Sequence, residues 1–326
     1  MYTVSIRILG IYLLLWSKTI YLMIEKKTFK EQFGIPMEQS VEFIDIPLIS
    51  DLKAFIDPFL IANNRNDKRV DEIYNQLKAF FVKLNHDFIV PDQRHEGLEF
   101  LDHLHEPNQY HLGYSGKNTG AGISATRAET IFDALRNNRF ARADELTITN
   151  EAHNVLLLVT GIGQDIMSDT IANVCKNVFA EFTKEQCLIH GIPTSAFNNQ
   201  YFDFKSGSWE KATFELPSYK GKSIILLPAK LISSPRSYAN HYNYFIASNY
   251  ISKDILSGKI LNPLNKTLVR LLNDGTQVAI VKNIYKEYHK PKADLTDFVK
   301  TYSNSLNEFF DHAKDHYRGI EFIHLN

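Results

Sequence analysis

The chain has 326 residues, of which 44% are hydrophobic and 22% are charged, and its formal net charge is −1. These values exclude a largely disordered chain and a protein whose whole surface is basic, and the length allows one large domain or two small ones. Cys175 and Cys187 are the only cysteines. They are predicted to lie on one helix about 18 Å apart, which excludes a disulfide framework and favours a reducing, cytoplasmic compartment.

The first 22 residues differ from the rest of the chain. Ile8–Trp16 is an apolar run that is too short to span a bilayer, and no small-x-small cleavage site follows it. Met23 then opens a segment typical of a cytosolic N-terminus. We predict that residues 1–22 are an over-long translation start, with a membrane-associating segment as the alternative, and we expect no stable membrane span.

The predicted elements alternate between strands and helices. In chain order they are strands at Val41–Ile49 and Ala54–Ile61, a helix from Val70 to Leu84, a helix after the glycine-rich segment His111–Ser124, a strand at Val155–Thr160, a helix from Asp169 to Ile189, a strand at Ser223–Leu227, a helix within Arg236–Tyr250, helices at Leu268–Leu272 and Val278–Tyr288, and a C-terminal helix from Leu295 to Phe310. This order predicts an α/β fold, with a mixed α+β fold as the other possibility, in which a central, mostly buried sheet is flanked by helices. We expect a core domain over residues 23–260 and a helical C-terminal extension over residues 261–326.

The most informative stretch is VLLLVTGIGQDIMSD at Val155–Asp169, which is typical of a strand, a tight turn and a helix start. Ile166 stands where a dinucleotide fingerprint needs its third glycine, so a Rossmann site is not indicated. Asp165 and Asp169 are four residues apart and would project to one side if the helix starts before Asp165, which suits a divalent cation. The alternative is that Asp169 only caps the helix and Asp165 is solvated.

Further candidate ligands follow other buried segments. Asp57 and Lys230 end two apolar runs, and an acid and a lysine at the ends of neighbouring strands can hold a metal ion and polarise a phosphate. Pro228 replaces the acidic residue that many nucleases carry two positions before the lysine. Asp57 and Glu106 are the candidates for a third metal ligand beside Asp165 and Asp169, and ordinary strand-end charges are the alternative.

Two segments are candidates for substrate contacts. Gly113, Tyr114 and Lys117 belong to a glycine-rich loop whose backbone amides could surround a phosphate, although it lacks the Gly-Lys-Ser/Thr ending of a P-loop. Arg236 begins a tyrosine-rich segment that could stack bases, with helix packing as the alternative. The histidines and acids of residues 95–111 could bind zinc or manganese, but we interpret them as the solvated face of a short amphipathic element.

Four segments carry a resemblance: IDPFL at Ile56–Leu60, HEPNQYHLGYS at His105–Ser115, GIGQDIMSDT at Gly161–Thr170, and ILLPAK at Ile225–Lys230. With the order and spacing of these segments, the chain is similar to a family of uncharacterised bacterial proteins over residues 40–250. The resemblance implies a bacterial cytoplasmic protein in which these segments approach one another, and it supplies no catalytic residues. Families of this kind are often accessory genes of mobile or defence islands.

The residues therefore favour a divalent-metal-dependent nucleic-acid-processing enzyme, nuclease-like, with a role in phage defence. Asp165 and Asp169 would hold Mg²⁺ or Mn²⁺, and Lys230 would stabilise the developing phosphate charge. The competing hypothesis is a non-enzymatic sensor or assembly subunit, acting with a protein partner or as a homo-oligomer. A small-molecule or nucleotide-binding protein is the third.

Overall fold

The structure is a computed structural model that describes residues 27–114, 124–138, 146–261 and 267–320. Our predictions for residues 1–22 and for Lys117 concern residues outside these ranges.

The described residues form a mixed α+β fold in which helices predominate, so this part of the fold prediction is confirmed. The strands do not form the expected central sheet, because the described strands pair two by two into separate antiparallel ladders. These pairs are β1 (Phe55–Ile56) with β6 (Ile232–Ser233), β2 (Ser195–Asp203) with β3 (Ser208–Leu216), β4 (Ser218–Tyr219) with β5 (Lys222–Ser223), and β7 (Val269–Leu271) with β8 (Gln277–Ala279).

The helices form the hydrophobic core. In chain order they are α1 (Phe29–Phe33), α2 (Pro58–Asn63), α3 (Lys68–Lys83), α4 (Arg94–Leu101), α5 (Ser124–Arg136), α6 (Leu146–Thr149), α7 (Ala152–Leu158), α8 (Gln164–Val174), α9 (Lys176–His190), α10 (Tyr238–Ile246), α11 (Ser252–Leu256), α12 (Val281–Tyr288), α13 (Leu295–Thr301) and α14 (Ser305–His316). Single π turns at Leu84–Ile89 and Ala247–Ile251 extend α3 and join α10 to α11.

The helix predicted from Val70 to Leu84 is present as α3. Asp67 caps its N-terminus by accepting hydrogen bonds from the backbone N–H groups of Arg69 and Val70. Its apolar stripe is buried, with Phe80 fully inaccessible to solvent.

Two predicted elements have the wrong type. The predicted strand at Val155–Thr160 is instead the end of helix α7, because a continuous apolar run of this length fits a buried helix as well as a buried strand. The predicted helix at Leu268–Leu272 contains strand β7, which forms a hairpin with β8 around the turn at Asp274 and Gly275.

Three other predicted strands are mostly irregular. Residues 41–49 make only isolated bridges, including Phe43 with Pro228. In the predicted strand Ala54–Ile61, Asp57 caps a helix that has Pro58 at its first position, so the strand ends after two residues. Residues 224–227 are buried and extended, but Ile225 donates to the Gln109 carbonyl and Leu226 to the Thr183 hydroxyl instead of forming a ladder.

Two long helices that the sequence predicts are each divided. The helix expected from Asp169 to Ile189 is interrupted at Cys175, where α8 gives way to α9. The C-terminal helix is present as α13 and α14, and the C-terminal region also contains the β7–β8 hairpin. Cys175 and Cys187 are both buried free thiols.

One apolar core joins residues from Phe29 to Ala313, and Phe309 on α14 packs against Phe59 on α2 and Tyr242 on α10. Within the described ranges, every helix is too short or too polar to cross a bilayer.

Candidate functional site

Hydrogen bonds link the four segments that carry the resemblance, either directly or through the rest of helix α8. The backbone N–H of Ile56 donates to the Ser168 hydroxyl on α8 at 3.0 Å. The side-chain amide of Asn173, also on α8, donates to the His105 carbonyl at 2.7 Å. The fourth segment joins through the hydrogen bond from Ile225 to Gln109 at 2.9 Å. Helix α8 is therefore the element around which the candidate site is built.

Helix α8 begins after Gly163, five residues before the predicted start at Asp169, so Asp165 and Asp169 lie in its first two turns. Asp169 is 6% exposed, whereas Asp165 is half-buried. Acidic groups near a helix N-terminus are stabilised by the helix dipole, which favours these positions for carboxylates.

An arginine that no sequence motif indicates joins two of the acids. Arg127 on α5 donates to Asp169 Oδ2 at 2.5 Å through one terminal nitrogen and to Glu106 Oε2 at 2.8 Å through the other. The single guanidinium thus brings Glu106 and Asp169 together, and we call Glu106, Arg127, Asp165 and Asp169 the acidic cluster. No local pattern could reveal this pairing, because Arg127 is 42 residues from Asp169 in sequence.

Burial and crowding alter the protonation of the cluster. Burial raises the pKa of Asp169 to about 8, because the favourable charge of Arg127 does not offset the desolvation and the repulsion from Glu106 and Asp165. Burial also raises the pKa of Asp165 above its usual range, with Glu106 acting in the same direction. For Arg127, burial acts to lower the pKa, but the neighbouring carboxylates outweigh it and raise the value.

The described part of the predicted substrate loop lies beside this cluster. Gly113 has φ of +142°, a conformation that L side chains rarely adopt, and its backbone N–H donates to the Leu52 carbonyl at 3.0 Å. A Cβ at this position would lie 3.8 Å from Asp165 Oδ1, which shows how closely the turn approaches the helix. Tyr114 is exposed, with its ring 4.8 Å from that of Phe55.

Asp57 and Arg236 occupy structural positions. Asp57 is fully buried and accepts hydrogen bonds from the Phe59 N–H at 2.9 Å and the Tyr238 hydroxyl at 2.7 Å. Arg236 lies 3.9 Å from Asp57 Oδ2 and donates through its side chain to the Arg318 carbonyl. Its backbone N–H donates to Gln164 Oε1 at 2.6 Å, which places Arg236 beside the start of α8.

Lys230 pairs with a carboxylate that does not belong to the acidic cluster. Its ammonium pairs with Asp67 Oδ2 at 2.5 Å, at the start of α3, and both side chains are partly exposed. The small cleft of about 330 Å³ beside it is lined by Glu42 and Arg69 as well. The structure therefore gives Lys230 a carboxylate partner that its sequence context does not predict.

A polar cleft of about 670 Å³ adjoins the acidic cluster, with which it shares Glu106. The β2–β3 hairpin forms one wall, and the junction of α8 with α9 forms another. The hairpin is fixed to the helices by buried Gln76, whose amide donates to the Val174 and Phe202 carbonyls at 2.7 and 2.5 Å. Lys176, the first residue of α9, is buried in the wall of this cleft, and burial lowers its pKa to about 8.

Lys176 was not among the predicted site residues, although the sequence carries an indication of it. The lysine follows Cys175 and precedes Val178 and Phe179 within an apolar helical stripe, and lysine is almost never fully buried without a partner. The histidine-rich segment is also partly explained: His103 and His105 line the cleft, whereas His95 is exposed on α4.

The chemistry of the acidic cluster suits a hard cation, since carboxylate oxygens are the ligands that Mg²⁺ and Mn²⁺ prefer. In the arrangement of the described residues, however, no three His, Cys, Asp or Glu side chains are close enough together to hold an ion. Arg127 lies between Glu106 and Asp169, so cation binding would require this side chain to move.

Searches of curated proteins and of solved structures find no match to the chain. The model of a protein family described as a domain of unknown function, DUF8370, matches residues 34–240. The matched region contains the whole acidic cluster and the polar cleft, and it ends within helix α10. The match covers more than half of the chain, and the protein therefore belongs to the DUF8370 family.

Proposed function

We propose that the protein is a divalent-metal-dependent, nuclease-like enzyme that acts at the acidic cluster. The observation that carries this proposal is the pairing of Glu106 and Asp169 with the single guanidinium of Arg127, whose charge also interacts with that of Asp165. Three acids around one arginine leave an excess of negative charge in a partly buried position. Perturbed acids of this kind are concentrated at functional sites.

A divalent cation would offset the burial and the repulsion that together keep a proton on Asp169. On this proposal Asp165, Asp169 and Glu106 hold Mg²⁺ or Mn²⁺, with hydrogen-bonded Asp57 as a neighbouring structural carboxylate. When displaced from the carboxylates, Arg127 would face the phosphate, whose oxygens match the two parallel donors of a guanidinium. Arg127 thereby takes the charge-stabilising role that the sequence pattern assigned to Lys230.

The proposed substrate is nucleic acid, which would pass over the turn at Gly113 and the exposed ring of Tyr114. Lys117 and Arg236 are the cationic residues predicted from the sequence to lie along this path. A cytoplasmic bacterial protein with such an activity would fit a phage-defence role.

The test is cleavage of labelled single- and double-stranded DNA and RNA by the full chain with Mg²⁺, Mn²⁺ or EDTA. We expect metal-dependent cutting that is abolished in Asp165→Asn/Asp169→Asn. The matched control is Glu181→Gln, which alters an exposed carboxylate on α9, and it should cut like the wild type. Circular dichroism checks that each variant is folded. Equal cutting by the double variant would contradict the proposed site.

Arg127→Met separates cation binding from cleavage. Removing the guanidinium should tighten Mn²⁺ binding, measured by electron paramagnetic resonance titration, because the cation no longer competes with a positive charge. Cleavage should nevertheless fall, since the phosphate loses its partner. Weaker Mn²⁺ binding together with unchanged cleavage would show that Arg127 has neither role.

An assembly subunit is the second candidate, and an exposed apolar surface favours it. Leu188 and Ile189 at the end of α9 are 84% and 68% exposed, and the neighbouring His190 contacts Gln39 at 3.5 Å. Met37, two residues before Gln39, is also exposed. On this proposal two copies of the chain associate here.

Sedimentation of the wild type and of Leu188→Lys/Ile189→Lys tests this second candidate. A wild-type oligomer that becomes a folded monomer in the double variant would support it. A monomeric wild type at all concentrations would reject it.

A further inference from the structure

The polar cleft contains a buried cation without a carboxylate partner. Lys176 is 8% exposed, and its ammonium contacts the Asn173 amide oxygen at 3.5 Å, which is a long hydrogen bond. Among the residues that the structure describes, no carboxylate lies within 4.0 Å of this ammonium. A charge removed from water in this way is costly unless something else compensates for it.

The surroundings of Lys176 are rich in groups that recognise polar rings. Carboxamides from two sides, Gln109 on the histidine-rich segment and Asn198 and Gln200 on β2, line the cleft. The amide nitrogens of Asn198 and Gln200 offer donors to the edge of a nucleobase, while their oxygens contact the Thr213 hydroxyl at 2.7 Å and His103 at 3.1 Å. His103 is fixed at the cleft by stacking on Trp209 at 5.0 Å and by a contact with Gln200 at 3.1 Å.

The cleft is also preformed and of suitable size. Its walls are joined by the hydrogen bonds of Gln76 to both α8 and β2, and by the Asn173 bond to His105. A volume of about 670 Å³ lies within the range of small-molecule sites. Lys211 on β3, opposite Gln200 in the ladder register, adds a second cation to the lining.

We propose that this cleft binds a mononucleotide, with the phosphate against Lys176 and the base against the carboxamides of Gln109, Asn198 and Gln200. The phosphate supplies the negative charge that buried Lys176 lacks, and Lys211 assists at the hairpin side. Glu106 is the one carboxylate among the described residues that line the cleft, and it is paired with Arg127. The proposal does not depend on phosphodiester hydrolysis at the acidic cluster.

Isothermal titration calorimetry of the full chain in EDTA tests the proposal with AMP, GMP, CMP and UMP. The four corresponding nucleosides and inorganic phosphate are included to separate recognition of the base from recognition of the phosphate. We expect at least one mononucleotide to bind, about tenfold or more tighter than both its nucleoside and phosphate alone. No binding of any mononucleotide at about 1 mM, the weak end of specific affinity, would overturn the proposal.

Lys176→Met tests the assigned cation, and Lys184→Met is the matched control because Lys184 is an exposed lysine on the same helix. Lys176→Met should weaken mononucleotide binding about tenfold or more, while leaving nucleoside binding unchanged. Urea denaturation of the same variant should show no loss of stability, because the substitution removes a buried charge. Equal mononucleotide affinity in wild type and a folded Lys176→Met variant would show that Lys176 does not bind the phosphate.

Because EDTA removes divalent cations, this binding test is independent of metal-dependent cleavage. Nucleotide binding without nuclease activity would support the proposed nucleotide site in the cleft and reject the proposed function. Metal-dependent cleavage without nucleotide binding would do the reverse.

Discussion

Two buried aspartates that face arginines show how differently the same residue types are used in this protein. Asp57 accepts hydrogen bonds from the Phe59 N–H and the Tyr238 hydroxyl, and it lies 3.9 Å from Arg236. Asp169 pairs with Arg127, but two further carboxylates crowd the same place and its pKa is raised by burial. A carboxylate satisfied by neutral donors indicates a structural role, whereas a crowded one indicates a group kept for a ligand or a reaction.

The largest expected effect is on stability at Asp57. Asp57→Ala removes the cap of α2 and the acceptor of Tyr238, and it leaves Arg236 without its buried partner. We expect the free energy of unfolding to fall by about 3–5 kcal/mol in urea denaturation. Asp67→Ala removes the more exposed cap of α3 and should cost only about 1 kcal/mol.

Asp57→Asn keeps the variant measurable if Asp57→Ala does not fold. The amide oxygen can still cap α2, so the loss should be about 1–2 kcal/mol. If the free energy of unfolding fell no more in the Asp57 variants than in Asp67→Ala, Asp57 would not have the structural role that the comparison assigns to it.

At Asp169 the expected effect is on the pH dependence of stability. Its pKa of about 8 in the folded protein lies above the unfolded value of about 4, so the native state holds a proton that the unfolded state has lost in between. The free energy of unfolding therefore falls as pH rises through this window, by up to about 1.4 kcal/mol per pH unit.

An asparagine at this position cannot titrate. The free energy of unfolding of Asp169→Asn should therefore not decline in this window, and it should rise relative to wild type towards pH 8. Urea denaturation at several pH values measures the slope, with Glu181→Gln as the control. Parallel wild-type and Asp169→Asn profiles between pH 5 and 8 would mean that Asp169 is an ordinary ionised carboxylate.

The turn beside the acidic cluster provides a smaller effect. Gly113→Ser places a side chain on a backbone with φ of +142°, which should cost about 1–3 kcal/mol in the free energy of unfolding. Gly163→Ser is the matched control, because Gly163 caps α8 with φ of −94° and has no neighbour within 4 Å of a built Cβ. Serine is favoured at that position, so this variant should be as stable as wild type or more stable.

Equal losses at the two glycines would show that the Gly113 conformation is not required. A loss of stability in Gly113→Ser alone would instead show that stability depends on the backbone conformation that places this turn against Asp165.

The sequence is most informative where local patterns determine the structure. The spacing of Asp165 and Asp169 on a helix follows from their separation of four residues, and the apolar stripe after Val70 predicts α3. The strand prediction at Val155–Thr160 is wrong because a fully buried helix and a fully buried strand have the same composition.

What the sequence could not supply is the set of distant partners. The pairing of Asp169 with Arg127 and the approach of β2 to Lys176 depend on tertiary packing, which no local periodicity encodes. The same limit applies to Lys230, whose position after an apolar run gives no indication of its pairing with Asp67.

Lys230 gives the smallest expected effect and the sharpest test of which cation belongs to the site. Its pair with Asp67 is 45% and 37% exposed on the two side chains, so Lys230→Met should change the free energy of unfolding by no more than about 1 kcal/mol. Cleavage should remain at the wild-type rate, in contrast to Arg127→Met. If Lys230→Met instead abolished cleavage while Arg127→Met did not, the reacting phosphate would lie at the end of the ILLPAK segment. Asp169 would then be a buried structural acid like Asp57, and the crowding of its neighbours would have no part in the chemistry.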